Sequence, residues 1–200
     1  LTETVTGGLF SGPTDRDYKI GTVGKPVDCL ARIVDESGHD LPLGEAGELV
    51  LQGENVMQGY LNAPEATSEV LKDGWLHTGD IATCDAQGFY RIVGRKKSVI
   101  ITGGLNVHPE EVTEALNTHP GVVESCTFGV ADNTWGERIV SVVVVDGTVP
   151  LSDCDLIEYC RSRLAPAKVP HRIHFLDELP KGPAGKIIID KTREKVESHE

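Results

Sequence analysis

The 200-residue sequence predicts an α+β fold in two successive parts. Up to Gly94, short apolar segments alternate with glycine-rich turns, which fits a short β-barrel-like subdomain. Beyond it, strand-like and helix-like segments follow in the order β-α-β-β-α-β, an α+β domain of its own. The change of texture falls at residues 95–98, Arg-Lys-Lys-Ser, a charged break between two apolar runs.

In the first part, residues 1–95, strands are expected at 29–35, 47–52, 75–82 and 89–93. Turn signals separate them at Ser37-Gly38, Leu43-Gly44 and Gln87-Gly88. Residues 64–71 read as a helix, opening on Pro64, because proline suits a first helical turn. In the second part, residues 98–200, residues 99–102 read as a strand. A helix follows over 109–118, with Val112, Ala115 and Leu116 on one face, and it stops at His119-Pro120-Gly121. Residues 123–130 and 138–145 read as strands. Ser152 is the expected cap of a second helix, with Asp155 three residues on as its capping-box partner. Leu156, Ile157, Cys160 and Leu164 form that helix's apolar stripe. Residues 172–176 read as the last strand, and the charged tail 191–200 is expected to fray.

Composition narrows the function. Hydrophobic residues at 39% and charged residues at 25% fit an ordinary globular chain. A net charge of −12 argues against a nucleic-acid partner, which demands a basic face. No window approaches the ~20 apolar residues of a membrane span. Five scattered cysteines without a Cys-x-x-Cys suit a reducing cytoplasm better than a disulfide framework. His171 and His174, three apart on an expected strand, are read as pointing to opposite faces, which disfavours a shared metal. The chain opens Leu1-Thr2-Glu3 and reads as an excerpt that begins inside a motif.

Several short motifs carry possible chemistry. Thr78-Gly79-Asp80, judged alone, fits a turn aspartate bonding its own backbone. Gly94-Arg95 offers a rigid guanidinium fork, and Lys96-Lys97 a solvated basic pair. Gly103-Gly104 fits either a tight turn or the close passage of a narrow ligand. Trp135, taken by itself, fits a plain core residue. Lys168-Val169-Pro170 and the run 179–186, Leu-Pro-Lys-Gly-Pro-Ala-Gly-Lys, complete the set. There is no Gly-x-x-x-x-Gly-Lys-[Ser/Thr] P-loop and no Gly-x-Gly-x-x-Gly after a first strand.

In their order and spacing these motifs resemble the C-terminal portion of the adenylate-forming (AMP-binding) superfamily, in its acyl- and aryl-CoA synthetase branch. The resemblance spans essentially the whole chain and implies roles for individual residues. Thr2 would contact the α-phosphate of ATP, and Glu3 would hold Mg²⁺. Asp80 would accept the ribose hydroxyls, Arg95 would reach the ribose and phosphates, and Ile92 would line the adenine. Lys97 would be a hinge, with 96–97 joining a β-rich end of the large domain (1–95) to a mobile lid (98–200). Gly103, Gly104, Trp135 and Lys168 would meet CoA. Lys186 would be the catalytic lysine of adenylation. Ile189 departs from the family, which often carries a basic residue there, and the flanks of Lys168 are less basic than in some relatives.

The function so implied is an AMP-forming acid–CoA ligase that uses ATP, Mg²⁺ and CoA on a fatty or aromatic carboxylic acid. Its remaining N-terminal part would supply the acid pocket, and the 200 residues alone are expected to turn over nothing. Two alternatives stay open: an adenylating enzyme that loads a carrier-protein thiol, and a non-catalytic interaction module.

Overall fold

The computed structural model describes all residues except 6, 13–17, 148–149 and 198–200. They form two compact units, Leu1–Lys97 and Ser98–Glu200.

In the first unit, β1 (Leu9–Phe10) and β2 (Lys25–Pro26) form a two-stranded ribbon. The main sheet is antiparallel and five-stranded. Its members are β3 (Leu30–Val34), β4 (Gly47–Gln52), β5 (Leu71–Lys72), β6 (Trp75–Cys84) and β7 (Tyr90–Arg95). Helix α1 (Pro64–Val70) opens on its proline as expected. The ten-residue β6 is the backbone of the sheet. It pairs with β4 along one edge, while β5 and β7 share the other. Ile33, Leu49, Leu51, Leu76, Ala82 and Tyr90 form the core, and the Tyr90 hydroxyl donates to Ala31 O at 2.9 Å. Among the described residues this sheet stays open. The barrel-like expectation therefore resolves into an open twisted sheet, because no described strand joins β3 to β5.

The second unit holds β8 (Ile100–Thr102), β9 (Leu105–Val107), α2 (Pro109–Asn117), β10 (Val122–Asp132), β11 (Gly136–Val145), α3 (Asp153–Arg161), β12 (Arg172–Phe175) and α4 (Ile189–Glu197). Strand β11 is again ten residues long and central. It pairs along its full length with β10, and its other edge is shared between antiparallel β8 and parallel β12. Both faces of β11 are covered. Ile139 and Val143 pack with Val112 and Leu116 of α2 and Leu156 and Cys160 of α3. Val140, Val142 and Val144 pack on the opposite side with Phe128, Leu179 and Val196. A strand covered on both sides reads as a nearly continuous apolar run. Its Ser141 is tolerated because its hydroxyl pairs with Thr127 at 2.8 Å.

Three expectations for this unit need correction. The order is β-β-α-β-β-α-β-α, since β9 and α4 were not foreseen. The tail does not fray as far as it is described. Residues Ile189–Glu197 form a helix that buries Thr192 and Val196, while residues 198–200 lie outside the described set. Ile189, Thr192 and Val196 recur at i, i+3 and i+7, an amphipathic period hidden by the surrounding charges. The Ser152 capping box is present in both directions. His171 precedes β12 rather than lying in it, so it and His174 line one cavity instead of facing apart.

All five cysteines are free. Cys126 and Cys160 are buried, and burial pushes each thiol up to about 11. Cys154 is exposed at the start of α3.

Leu156, fully buried between α3 and the sheet, is expected to cost about 2–5 kcal/mol on truncation to Ala. Ser152→Ala should cost only about 1 kcal/mol. Urea denaturation of both variants checks the ranking, and equal losses would contradict this packing.

Candidate functional site

The candidate residues of the first unit gather where β6 changes register. Gly79 adopts φ +69°, and the pairing of β6 slips on both sides of it, against β4 between Glu48 and Val50 and against β7 between Ile81 and Ala82. Local hydrogen bonds fix this kink. The Thr78 hydroxyl donates to Leu49 O at 2.7 Å and accepts from the Asp80 N–H at 3.1 Å. Asp80 then stands directly opposite Arg95 on β7, and their side chains pair at 2.9 Å, Nε to Oδ1. Arg95 also donates from Nη1 to Thr78 O at 3.2 Å. Burial raises the Asp80 carboxyl above its ordinary value, although the Arg95 guanidinium beside it pulls the other way.

A small cavity of about 100 Å³ adjoins this pair. Glu3, Tyr60, His77, Thr78 and Arg95 are among its lining residues. Glu3 sits in a short 3₁₀ turn, Thr2–Thr4, and accepts a hydrogen bond from the Tyr60 hydroxyl at 3.1 Å. Four of the residues singled out in the sequence thus come close together: Glu3, Thr78, Asp80 and Arg95. Thr2 and Ile92 are exposed and line no part of this cavity. Tyr60 and Glu48 had been given no chemistry. The signal for Glu48 was a charged residue inside the apolar strand Gly-Glu-Leu-Val-Leu.

Glu48 is 7% exposed and carries three hydrogen-bond partners. Its Oε2 meets Lys96 Nζ at 2.8 Å and His77 Nδ1 at 3.1 Å, and its Oε1 accepts the Gly79 N–H at 3.3 Å. Burial alone would raise its carboxyl. The Lys96 and His77 partners outweigh that and hold it below the ordinary value of 4.5. Lys96, Lys97 and Ser98 form an exposed 3₁₀ turn that ends the first unit and begins the second.

In the second unit, Gly103 and Gly104 form a two-residue β8–β9 turn with φ +56° and +78°, the left-handed pair that a type I′ hairpin requires. The tight-turn reading therefore holds for both, and the expected strand-to-helix loop contains β9. Gly103 has a further constraint. Its N–H donates to Trp135 O at 2.8 Å, and a Cβ there would lie 3.0 Å from the Trp135 ring. A Cβ on Gly104 would meet open space.

Trp135 is 51% exposed, so it is an exposed wall rather than core. With Gly103, Leu105, Arg161, Val169 and His171 it lines a groove of about 650 Å³. Arg161 had no sequence signal, being one basic residue among several on a helix surface. Lys168 is not on this wall. Its ammonium is held by both Glu111 carboxylate oxygens, at 2.7 and 2.9 Å, which ties its turn to α2. Lys186 sits exposed on a short turn closed by the Lys181–Ile187 bridge, next to Gly185 at φ +74°. No group of three or more His, Cys, Asp or Glu able to hold a metal occurs among the described residues. No helix among them is long and apolar enough to cross a membrane.

The family of AMP-binding enzymes matches residues 1–61, and its C-terminal domain matches residues 111–186. The chain belongs to the AMP-binding, adenylate-forming enzymes. It is 44% identical to a long-chain-fatty-acid–CoA ligase of Escherichia coli O6:H1 over 92% of its length and 33% of the relative's. It is 34% identical to the o-succinylbenzoate CoA synthetase MenE of Bacillus subtilis, solved with its acyl-adenylate intermediate. That superposition has a TM-score of 0.88 and covers 96% of this chain and 40% of MenE. An amide bond synthetase, McbA of Marinactinospora thermotolerans, is 35% identical with a TM-score of 0.82, over 88% of this chain and 36% of that one. The chain spans about a third of the length of the curated relatives it matches.

Two predictions follow from this geometry. Gly103→Ala is expected to displace the Trp135 ring and shift its fluorescence emission, whereas Gly104→Ala should lower stability by about 1 kcal/mol with no shift. Identical spectra for the two variants would contradict the packing. The second concerns acid. A carboxyl held below its ordinary value contributes stability above that value and loses it as pH falls through the depressed one. Glu48→Gln should therefore flatten the fall in stability as pH drops below the ordinary carboxyl value of 4.5. Denaturant midpoints at stepped pH would show parallel acid limbs if the carboxylate were not paired.

Proposed function

We propose that this chain is part of an AMP-forming acid–CoA ligase and contributes to both of its half-reactions. The observation that carries the reading is the Asp80–Arg95 pair beside Glu3, reached from three separate segments. An aspartate has two acceptors for a ribose diol, and the arginine fork reaches several oxygens at once. Asp80 and Arg95 hold the nucleotide, with Thr2 at the α-phosphate and Ile92 against the adenine. Glu3, a carboxylate lining the cavity beside Arg95, would supply the hard oxygen donor that Mg²⁺ prefers. When bound, Mg²⁺ neutralises phosphate charge.

In the first half-reaction a carboxylate oxygen of the acid attacks the α-phosphorus of ATP. The bond to the bridging oxygen breaks and pyrophosphate leaves, giving acyl-AMP. Lys186, a compact charge on a pliable turn, stabilises the charge that develops there. The domain 98–200 then turns about Lys97, removing Lys186 and presenting the groove of Gly103 and Trp135 to the pantetheine arm, with Gly104 and Lys168 at its margin. The CoA sulfur attacks the acyl carbon, the bond to AMP breaks, and AMP departs. The acid is a carboxylic acid whose class a panel of acids identifies, since relatives described as long-chain-fatty-acid, sulfoacetate and feruloyl ligases span several classes. Five free cysteines fit a reducing cytoplasm. A second reading, transfer to an acceptor other than CoA such as a carrier-protein thiol, has support in the similarity to an amide bond synthetase.

In the gene-length protein, Lys186→Ala should lower adenylation by about 10²–10³-fold. Thioester formation from supplied acyl-AMP should be nearly spared, and equal losses would refute the role. Bulky substitution of Gly104 should slow the CoA step while pyrophosphate exchange persists. The deciding assay follows AMP release from MgATP across a panel of carboxylic acids with and without CoA. CoA-dependent release supports the ligase. Exchange without CoA dependence moves the reading to another acceptor, and silence across the panel favours a non-catalytic module.

A further inference from the structure

Glu48 is the most costly polar group in the first unit. It lies on β4 among Leu49, Val50 and Leu51, all buried, and a charge shut in such surroundings is tolerated only when paired and hydrogen-bonded. Its partners are not scattered. His77 and Gly79 flank Thr78 in the kink of β6 that presents Asp80. Lys96 follows Arg95 and immediately precedes Lys97. One carboxylate therefore grips both the segment that carries Asp80 and the segment that carries Arg95, and it does so from a third strand.

We propose that Glu48 is a positioning residue, a clamp that locks the residue 77–80 kink to the Arg95–Lys96 junction so that backbone freedom begins at Lys97. The ion pair at Lys96 is the outer jaw, because that lysine is half exposed and ties the junction turn to β4. The hydrogen bonds to His77 and Gly79 form the inner jaw. Without the clamp, the last residues of β7 would share in any bending, and the Asp80–Arg95 pair would be disturbed by it. With the clamp, the pair stays fixed while the chain turns one residue later. This deepens the ligase reading and rests on it only for the catalytic consequence.

Hydrogen exchange read by mass spectrometry on the 200-residue chain tests the clamp without any ligand. Glu48→Gln is expected to speed exchange about tenfold at residues 77–80 and 95–98, with little change in β3 or in the second unit. Lys96→Met, a surface change that leaves the inner jaw intact, should speed exchange at 95–98 alone, and Lys96→Arg should match the wild type. Overturning results are an effect of Glu48→Gln spread evenly over Leu1–Lys97, which would mean ordinary core stability, or no effect of Lys96→Met at the junction. In the gene-length protein, Glu48→Gln should raise KM for ATP in pyrophosphate exchange about tenfold with kcat altered far less. Local exchange that changes as expected while KM stays constant would overturn the link to nucleotide. A protein that shows no adenylation at all would count against the ligase reading, and the exchange result would stand apart from it.

Discussion

Each unit depends on one ten-residue strand whose far edge is divided between two partners. In the first it is β6, shared by β5 and β7. In the second it is β11, shared by β8 and β12. A divided edge leaves a gap in the ladder, and backbone groups near such a gap still need partners. Side chains supply them. Glu48 takes the Gly79 N–H, Arg95 takes Thr78 O, and His171 takes the Ile139 N–H at 3.3 Å. The candidate binding residues lie at these two gaps, because there polar side chains are already directed at the backbone and no neighbouring strand covers them.

The two gaps are built with different chemistry. The first is charged and compact, with Glu48 bonded to His77 and Lys96, and Asp80 paired with Arg95. Such a network is stable only while every member is satisfied, since a half-paired buried charge is worse than an apolar residue. The second gap is largely apolar and open, walled by Trp135, Leu105 and Val169, with Arg161 as its cation. Its rigidity comes from ties behind the wall. Glu137 accepts the Ile101 N–H at 2.7 Å, Gly103 bonds Trp135 O, and Lys168 is fastened to Glu111.

Much of this was legible in the residues. Most strand and helix identities over 29–145, β5 and β9 excepted, followed from apolar period and turn chemistry, which are local signals. The Ser152 capping box is local too, and it is present as read. Asp80 and Arg95 were each marked by a motif of their own, but their meeting depends on β6–β7 register, which no single segment encodes. Lys168 shows the opposite limit. Its sequence position marked it for an anion, whereas its ammonium is engaged by Glu111, fifty-seven residues away. The type I′ turn at Gly103-Gly104 was visible as a glycine pair, yet β9 was missed because three residues give too short a period to read. Helix α4 was missed because lysine and glutamate outnumber the three side chains that anchor it.

The distribution of thiols gives this protein a practical asymmetry. In the second unit Cys126 and Cys160 are both enclosed and resist ionisation, so Cys154 alone presents an accessible sulfur there. It stands at the first turn of α3, on the solvent side of a helix whose other face is sealed into the core. With Cys29 and Cys84 of the first unit replaced by serine or alanine, a maleimide dye would attach to one known address on the second unit. The fold thus carries a ready optical handle on the unit after Lys97, and no new cysteine has to be engineered into it.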